Sequence, residues 1–204
     1  MILEHFVSNY TKLANDRKTE AIPPLALDVA QTQSVIAILQ DSKHDQKERE
    51  FCKDLLINRV NPGVDDAAKL KAEFLGKIAL GGISSDLFSK VDAIKYLGTM
   101  LGGYNCPFLI EALQNSDEEV AKAAAEGLKH TLLVYDGFNI IADLSKDSAN
   151  NLAKKLAKEV LQSWANAEWF LAKKPLAEEI KLAVLKIDGE TNTDDLSPAS
   201  QYLP

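Results

Sequence analysis

Ser116-Asp117-Glu118-Glu119-Val120-Ala121-Lys122-Ala123-Ala124-Ala125-Glu126-Gly127-Leu128 reads as the start and one face of a helix. Ser116 and Glu119 have the spacing of a capping box, in which each side chain can satisfy a backbone N–H that the first turn leaves without a partner. Val120, Ala123, Ala124, Gly127 and Leu128 then fall on one stripe of small and apolar groups, which suits close packing against another helix.

The same grammar extends outward in both directions. Toward the N-terminus, Leu3, Phe6, Val7, Tyr10, Leu13 and Ala14 recur at helical steps until Pro23 and Pro24, and Asp28 with Gln31 opens a second helix to about Asp41. A third runs from about Asp45 to Arg59, burying Phe51, Leu55 and Leu56, and stops at Asn61-Pro62-Gly63. Asp65 and Asp66 begin a fourth with Leu70, Phe74, Leu75 and Ile78 inward, ended by Gly81 and Gly82. Val91, Ile94, Leu97 and Leu101 define a fifth that closes at Gly102-Gly103, and a short sixth opens near Pro107 and ends before Asn115. Asp136-Gly137 interrupts the pattern, 138–144 forms a short helix, and Ser148 starts a long one with Leu152, Leu156, Val160, Leu161 and Trp164 inward.

After Pro175 the period changes. Ile180, Leu182 and Val184 alternate with Lys181 and Ala183, which predicts a strand over 180–187, turned by Asp188-Gly189 into a polar loop. The expected architecture is all-α: a helical solenoid of about eight or nine helices over 1–172, with a compact irregular bundle as the alternative, then one strand and a loop over 173–204.

Composition narrows the function classes. A net charge of −7 over 204 residues, with no Lys/Arg stripe, is the reverse of the basic footprint that phosphate backbones require, so nucleic acid is disfavoured as a partner. No apolar run reaches the length of a membrane span, and the first residues lack a signal-peptide layout, so a cytoplasmic protein is expected. Cys52 and Cys106 lie far apart and His5, His44 and His130 fall in separate segments, so no metal-ligand spacing arises and packing roles are expected. Leu97-Gly98-Thr99-Met100-Leu101-Gly102-Gly103 lacks the strand before and the Lys-Ser/Thr after that a phosphate loop needs. Trp164, Trp169 and Phe170 cluster at the end of the long helix, where core packing is the default and a contact with a following domain the alternative.

Three stretches resemble the N-terminal region of the aconitase B family, in the family's order: Ile57-Asn58-Arg59-Val60-Asn61-Pro62-Gly63-Val64-Asp65, Leu97-Gly98-Thr99-Met100-Leu101-Gly102-Gly103-Tyr104-Asn105 and Ser163-Trp164-Ala165-Asn166-Ala167-Glu168-Trp169-Phe170. Gly189-Glu190-Thr191-Asn192-Thr193-Asp194-Asp195-Leu196-Ser197-Pro198-Ala199 is similar to the start of that family's swivelling domain. The resemblance implies a HEAT-like domain over 1–172 and the incomplete start of a swivel domain over 173–204. It implies a parent enzyme that interconverts citrate and isocitrate through cis-aconitate in the tricarboxylic acid cycle on a 4Fe–4S cluster. It further implies a substrate-side loop at Asn192, Thr193, Asp194 and Asp195, and partners in the remaining aconitase domains or in a second copy through the helical domain. Neither cysteine matches the family's cluster ligands, and its substrate-binding arginine is expected beyond Pro204. This part is therefore expected to carry no catalytic residue, no cofactor and no activity alone, and to serve association and gating. A stand-alone helical adaptor derived from aconitase is the alternative.

Overall fold

The computed structural model describes residues 6–131, 135–172, 178–184, 186, 188, 189 and 192. Among them the helices are α1 (Phe6–Thr19), α2 (Val29–Gln40), α3 (Gln46–Asn58), α4 (Asp66–Ala79), α5 (Lys90–Leu97), α6 (Cys106–Ala112), α7 (Glu118–Lys129), α8 (Tyr135–Asp147), α9 (Asn151–Ala165) and α10 (Glu168–Leu171). The all-α reading holds.

Most helix starts are local events. Asp28 accepts from the Gln31 N–H while Gln31 returns a bond to the Asp28 N–H, completing the expected capping box of α2. Asp45 and Asp65 cap α3 and α4 in the same way from one side. A second reciprocal box, Ser89 with Asp92, starts α5 and holds the Asp92 carboxyl below its usual range through the Ser89 hydrogen bond. At α7 the capping residue is Asp117 rather than Ser116, its carboxylate accepting from the N–H groups of Glu119 and Val120. A charged acceptor one position later suits the same orphan donors better than a hydroxyl.

Two boundaries differ from expectation because tertiary bonds override the local pattern. α5 ends at Leu97, a turn before Gly102-Gly103: the buried Asn105 side chain takes the carbonyls of Leu97 (2.7 Å) and Met100 (3.1 Å), and the Leu101 N–H turns outward to Pro62. α8 runs through Asp136-Gly137 for 13 residues, the glycine costing less than the packing of the helix against α9 returns. The strand expected over 180–187 is not formed at its described positions, where Ile180, Leu182 and Val184 stand exposed; positions 185 and 187 lie outside the described residues. A strand exists through ladder bonds to a neighbour, and among the described residues there is no ladder.

The helices pair as hairpins, α2 with α3, α4 with α5, α6 with α7 and α8 with α9. α2, α4, α6 and α8 then pack in one row, and α5, α7 and α9 in a second. α3 joins the second row through Arg49 and Lys53, which reach Asp86 and the Leu87 carbonyl just ahead of α5. This two-row stack is the solenoid arrangement, and a continuous core from Val35 to Val160 runs between the rows. α1 closes the first end: Tyr10 is buried, donates to the Leu25 carbonyl (2.9 Å) and meets Phe51 edge-on.

Two charged side chains are built into the core. Arg49 grips Asp86 with both terminal nitrogens (2.7 and 2.5 Å) and donates to the last turn of α2 at the Leu39 carbonyl, so one planar fork joins three elements. Lys71 of α4, 3% exposed, donates to the Ile57 carbonyl in the last turn of α3 (2.9 Å). Burial pulls the Lys71 ammonium down to about 8 from 10.5. The folded chain then releases this proton before the unfolded chain does, so between those values the unfolded state binds more protons and stability rises with pH. Relative to Lys71→Met, the wild-type chain should gain about 2 kcal/mol between pH 7 and pH 10. Urea unfolding at both pH values checks this, and parallel curves for the two proteins would contradict it.

Candidate functional site

The residue types that carry chemistry are dispersed through the stack. Among the described residues no group of three or more His, Cys, Asp and Glu is placed to hold a metal. Cys52 lies in the middle of α3 and is fully buried, its thiol pushed up to about 12 by burial with a smaller contribution from Glu48. Cys106 opens α6, is buried, and is likewise pushed up by burial; its sulfur sits 3.6 Å from the Asn105 side-chain oxygen. A thiolate is the reactive and metal-binding form, so neither environment favours ligation or attack. His44 pairs with Glu48 one helical turn on (3.1 Å), His130 ends α7, and His5 lies outside the described residues. An open concavity of about 510 Å³ lies among Lys129, Lys158, Glu159, Gln162, Ser163 and Asn166, where Lys129 is already engaged with Glu126 (2.5 Å).

Of the residues singled out in the sequence, Trp164 occupies a defined seat. It lies half-buried in the last turn of α9, donates its indole N–H to the Leu128 carbonyl of α7 (2.9 Å), and stacks on Phe138 of α8 with ring centroids 6.2 Å apart. One aromatic side chain thus joins three helices, and Phe138, 50% exposed, extends the pair to the surface. The side chains of Trp169 and Phe170 lie outside the described part of the molecule. Asn192 is exposed; Thr193, Asp194 and Asp195 lie outside the described residues.

The structure also brings together two stretches that the sequence shows only as separate turns. The Leu101 and Gly102 N–H groups both donate to the Pro62 carbonyl (2.7 and 3.1 Å), and the Tyr104 hydroxyl donates to the Val64 carbonyl (3.0 Å). Gly102 is pressed so close to Gly63 that an added Cβ would stand 1.9 Å from the Gly63 carbonyl oxygen. The resulting knuckle is braced from below by buried Val60, Met100 and Asn105, yet it holds Val64 and Leu101 in solvent, 73% and 77% exposed. Leu101 therefore leaves the buried stripe of the fifth helix in which its spacing alone places it. Chemically this surface offers apolar contact and a rigid frame rather than acid–base or nucleophilic groups.

Two comparisons with known proteins bear on the chain. The family model described as the aconitate B N-terminal domain matches residues 9–170. Aconitate hydratase B of Helicobacter pylori is 51% identical over 198 residues, which cover 97% of this chain and 22% of that protein. Aconitate hydratase B of Salmonella typhimurium is 48% identical, and that of Escherichia coli 47%, each over 95% of this chain and 21% of its own length. The chain thus spans 21 to 22% of the length of the relatives it matches. With a family model that covers most of its helices and relatives about half identical over nearly all of it, the chain belongs to the aconitate B N-terminal domain family.

Proposed function

We propose that this chain is the N-terminal helical part of an aconitate hydratase B, serving protein association and active-site gating while the isomerisation of citrate and isocitrate through cis-aconitate is performed by the remaining polypeptide. The observation that carries the reading is 51% identity to an aconitate hydratase B over 97% of this chain, against 22% of that relative's length. In this reading 1–172 is the helical domain and 173–204 opens the next. Asn192, Thr193, Asp194 and Asp195 face the substrate side, Trp164, Trp169 and Phe170 meet a neighbouring domain, and the protein works in the cytoplasm. The parent's 4Fe–4S cluster is held by cysteine thiolates. The only two cysteines here are buried inside helical packing with thiols raised by burial, so they do not fit that group.

The test is replacement. When this chain substitutes for the matching segment of the Helicobacter pylori relative, the hybrid should keep aconitate hydratase activity, and the same relative with the segment deleted should lose most of it. The isolated chain supplied with iron, sulfide and citrate should yield neither cluster absorbance nor cis-aconitate; formation of either would overturn the division of labour.

A further inference from the structure

The seams between successive hairpins are closed by different chemistry. Where α4 and α5 meet α6 and α7, the Asn105 amide serves the carbonyls of Leu97 and Met100, and Gly98 lies against Gly127. Where α6 and α7 meet α8 and α9, the Trp164 indole reaches the Leu128 carbonyl and the Asn150 amide reaches that of Gln114. Those donors are neutral, and the ion pair beside them, Lys129 with Glu159, is long at 3.9 Å. The seam between α3 and the second hairpin is closed by cations instead. Arg49, Lys53 and Ile57 stand one turn apart on one face of α3. Arg49 grips Asp86, Lys53 donates to the Leu87 carbonyl (2.6 Å) and lies over the Phe88 ring, and Lys71 of α4 donates to the Ile57 carbonyl.

Lys71 is the member of this set that no carboxylate answers. Asp86 is engaged by Arg49, and α2 carries no ionisable side chain between Val29 and Gln40. On α3, Arg49 and Lys53 add like charge to the seam, the Cys52 thiol is held neutral by burial, and Asp54 and Arg59 act on Tyr10 of α1. α5 brings Lys90 and Lys95, both exposed, and Asp92, held by Ser89; α6 brings the buried Cys106 thiol and the exposed Glu111. On α4 itself Asp66, Lys69 and Lys77 are exposed, and Glu73, two positions on, lies on a different face. Among the described residues the Lys71 ammonium thus meets one carbonyl with three N–H donors, and burial disfavours its charge. A charge sealed in this way favours any opening that readmits water.

We propose that Lys71 makes the first seam a proton-operated joint: while its ammonium is charged, α1, α2 and α3 part transiently from the rest of the stack as one unit, and loss of the proton closes the seam. α1 travels with the first hairpin because Tyr10 is bonded to the Leu25 carbonyl and packed on Phe51. The hinge is the loop 59–65, pinned to the loop after α5 through the Pro62 carbonyl. Asp86, whose side chain is 61% exposed, is already half in water, so parting it from Arg49 adds little to the cost. Lys71 holds its proton more firmly when the seam is open, so opening diminishes as pH rises from about 8 toward 10.5.

Hydrogen exchange of the 204-residue chain at pH 7 and pH 9, corrected for the intrinsic rate at each pH, tests the joint. At pH 7 the helical amides of α2 and α3 should share one protection factor, about tenfold or more below the value that urea unfolding sets for global opening, while α7 approaches the global value. At pH 9 the protection of α2 and α3 should rise about tenfold. Lys71→Met should raise it at pH 7 and remove the dependence on pH. Asp86→Asn leaves Lys71 in place and should lower protection at both pH values while keeping the tenfold rise, so the test survives a Lys71 variant that fails to fold. Protection of α2 and α3 equal to the global value would overturn the joint, because the seam would then open only with the whole chain. Protection that stays constant with pH in wild type or in Asp86→Asn would overturn the role of Lys71.

Discussion

Gly102→Ala should destabilise the chain by about 3 kcal/mol, the upper range for forcing volume into a packed contact. The added Cβ would lie 1.9 Å from the Gly63 carbonyl oxygen and 2.4 Å from its carbon, so the obstacle is backbone on the facing loop and no rotamer change relieves it. Separating the loops would also strain the two bonds to the Pro62 carbonyl. Gly63→Ala is the matched control: the same contact seen from the other side has nothing within 4 Å of the new carbon, and its effect should stay within about 0.5 kcal/mol. Urea unfolding of the two variants beside wild type decides the point, and equal losses would show that the approach of the two loops is not what holds the knuckle.

Asn105→Asp should cost about 3 kcal/mol at neutral pH. Asn105 is fully buried and its amide supplies N–H donors to the carbonyl of Met100 and to that of Leu97, which also accepts from the Met100 N–H where α5 ends. A carboxylate of the same shape removes both donors and sets negative charge against two carbonyl oxygens away from water. That environment raises the folded-state pKa of the new acid above its unfolded value, so its cost should be least in acid and grow as pH rises through the unfolded value. Unfolding midpoints at pH 4 and pH 7 would show the loss deepening with pH; a loss independent of pH would mean that the acid reaches solvent.

The difference between what the sequence disclosed and what required the folded chain follows the range of each interaction. Asp28 with Gln31, Asp45 and Asp65 cap their helices across two or three residues, and their chemistry is complete within that span. Leu101 shows the other case. Its spacing continues the stripe of Val91, Ile94 and Leu97, but its N–H is claimed by Pro62, 39 residues upstream, so it ends exposed. Ser116 and Asp117 were separated by a subtler margin, since both can cap and only the backbone geometry at Asp117 brings its carboxylate to two donors. The knuckle was legible only in fragments: Val64 and Leu101 each read as part of a loop or a stripe until the hairpin stacking placed the ends of α3 and α5 side by side. Trp164 was identifiable as a large aromatic near the end of a long helix, whereas its seat depends on Leu128 and Phe138, both distant in sequence.

The two buried thiols give the molecule a built-in clock. Cys52 sits in the first hairpin and Cys106 at the foot of the knuckle, each out of reach of solvent and held away from the thiolate form. A thiol-modifying reagent can therefore combine with either one only during the moments when its surroundings come apart, and the labelling rate measures how often that happens. Because the two reporters lie in different hairpins of a stack in which each unit leans on its neighbours, unequal labelling rates would reveal where the structure loosens first, and equal rates would show that the stack opens as one unit.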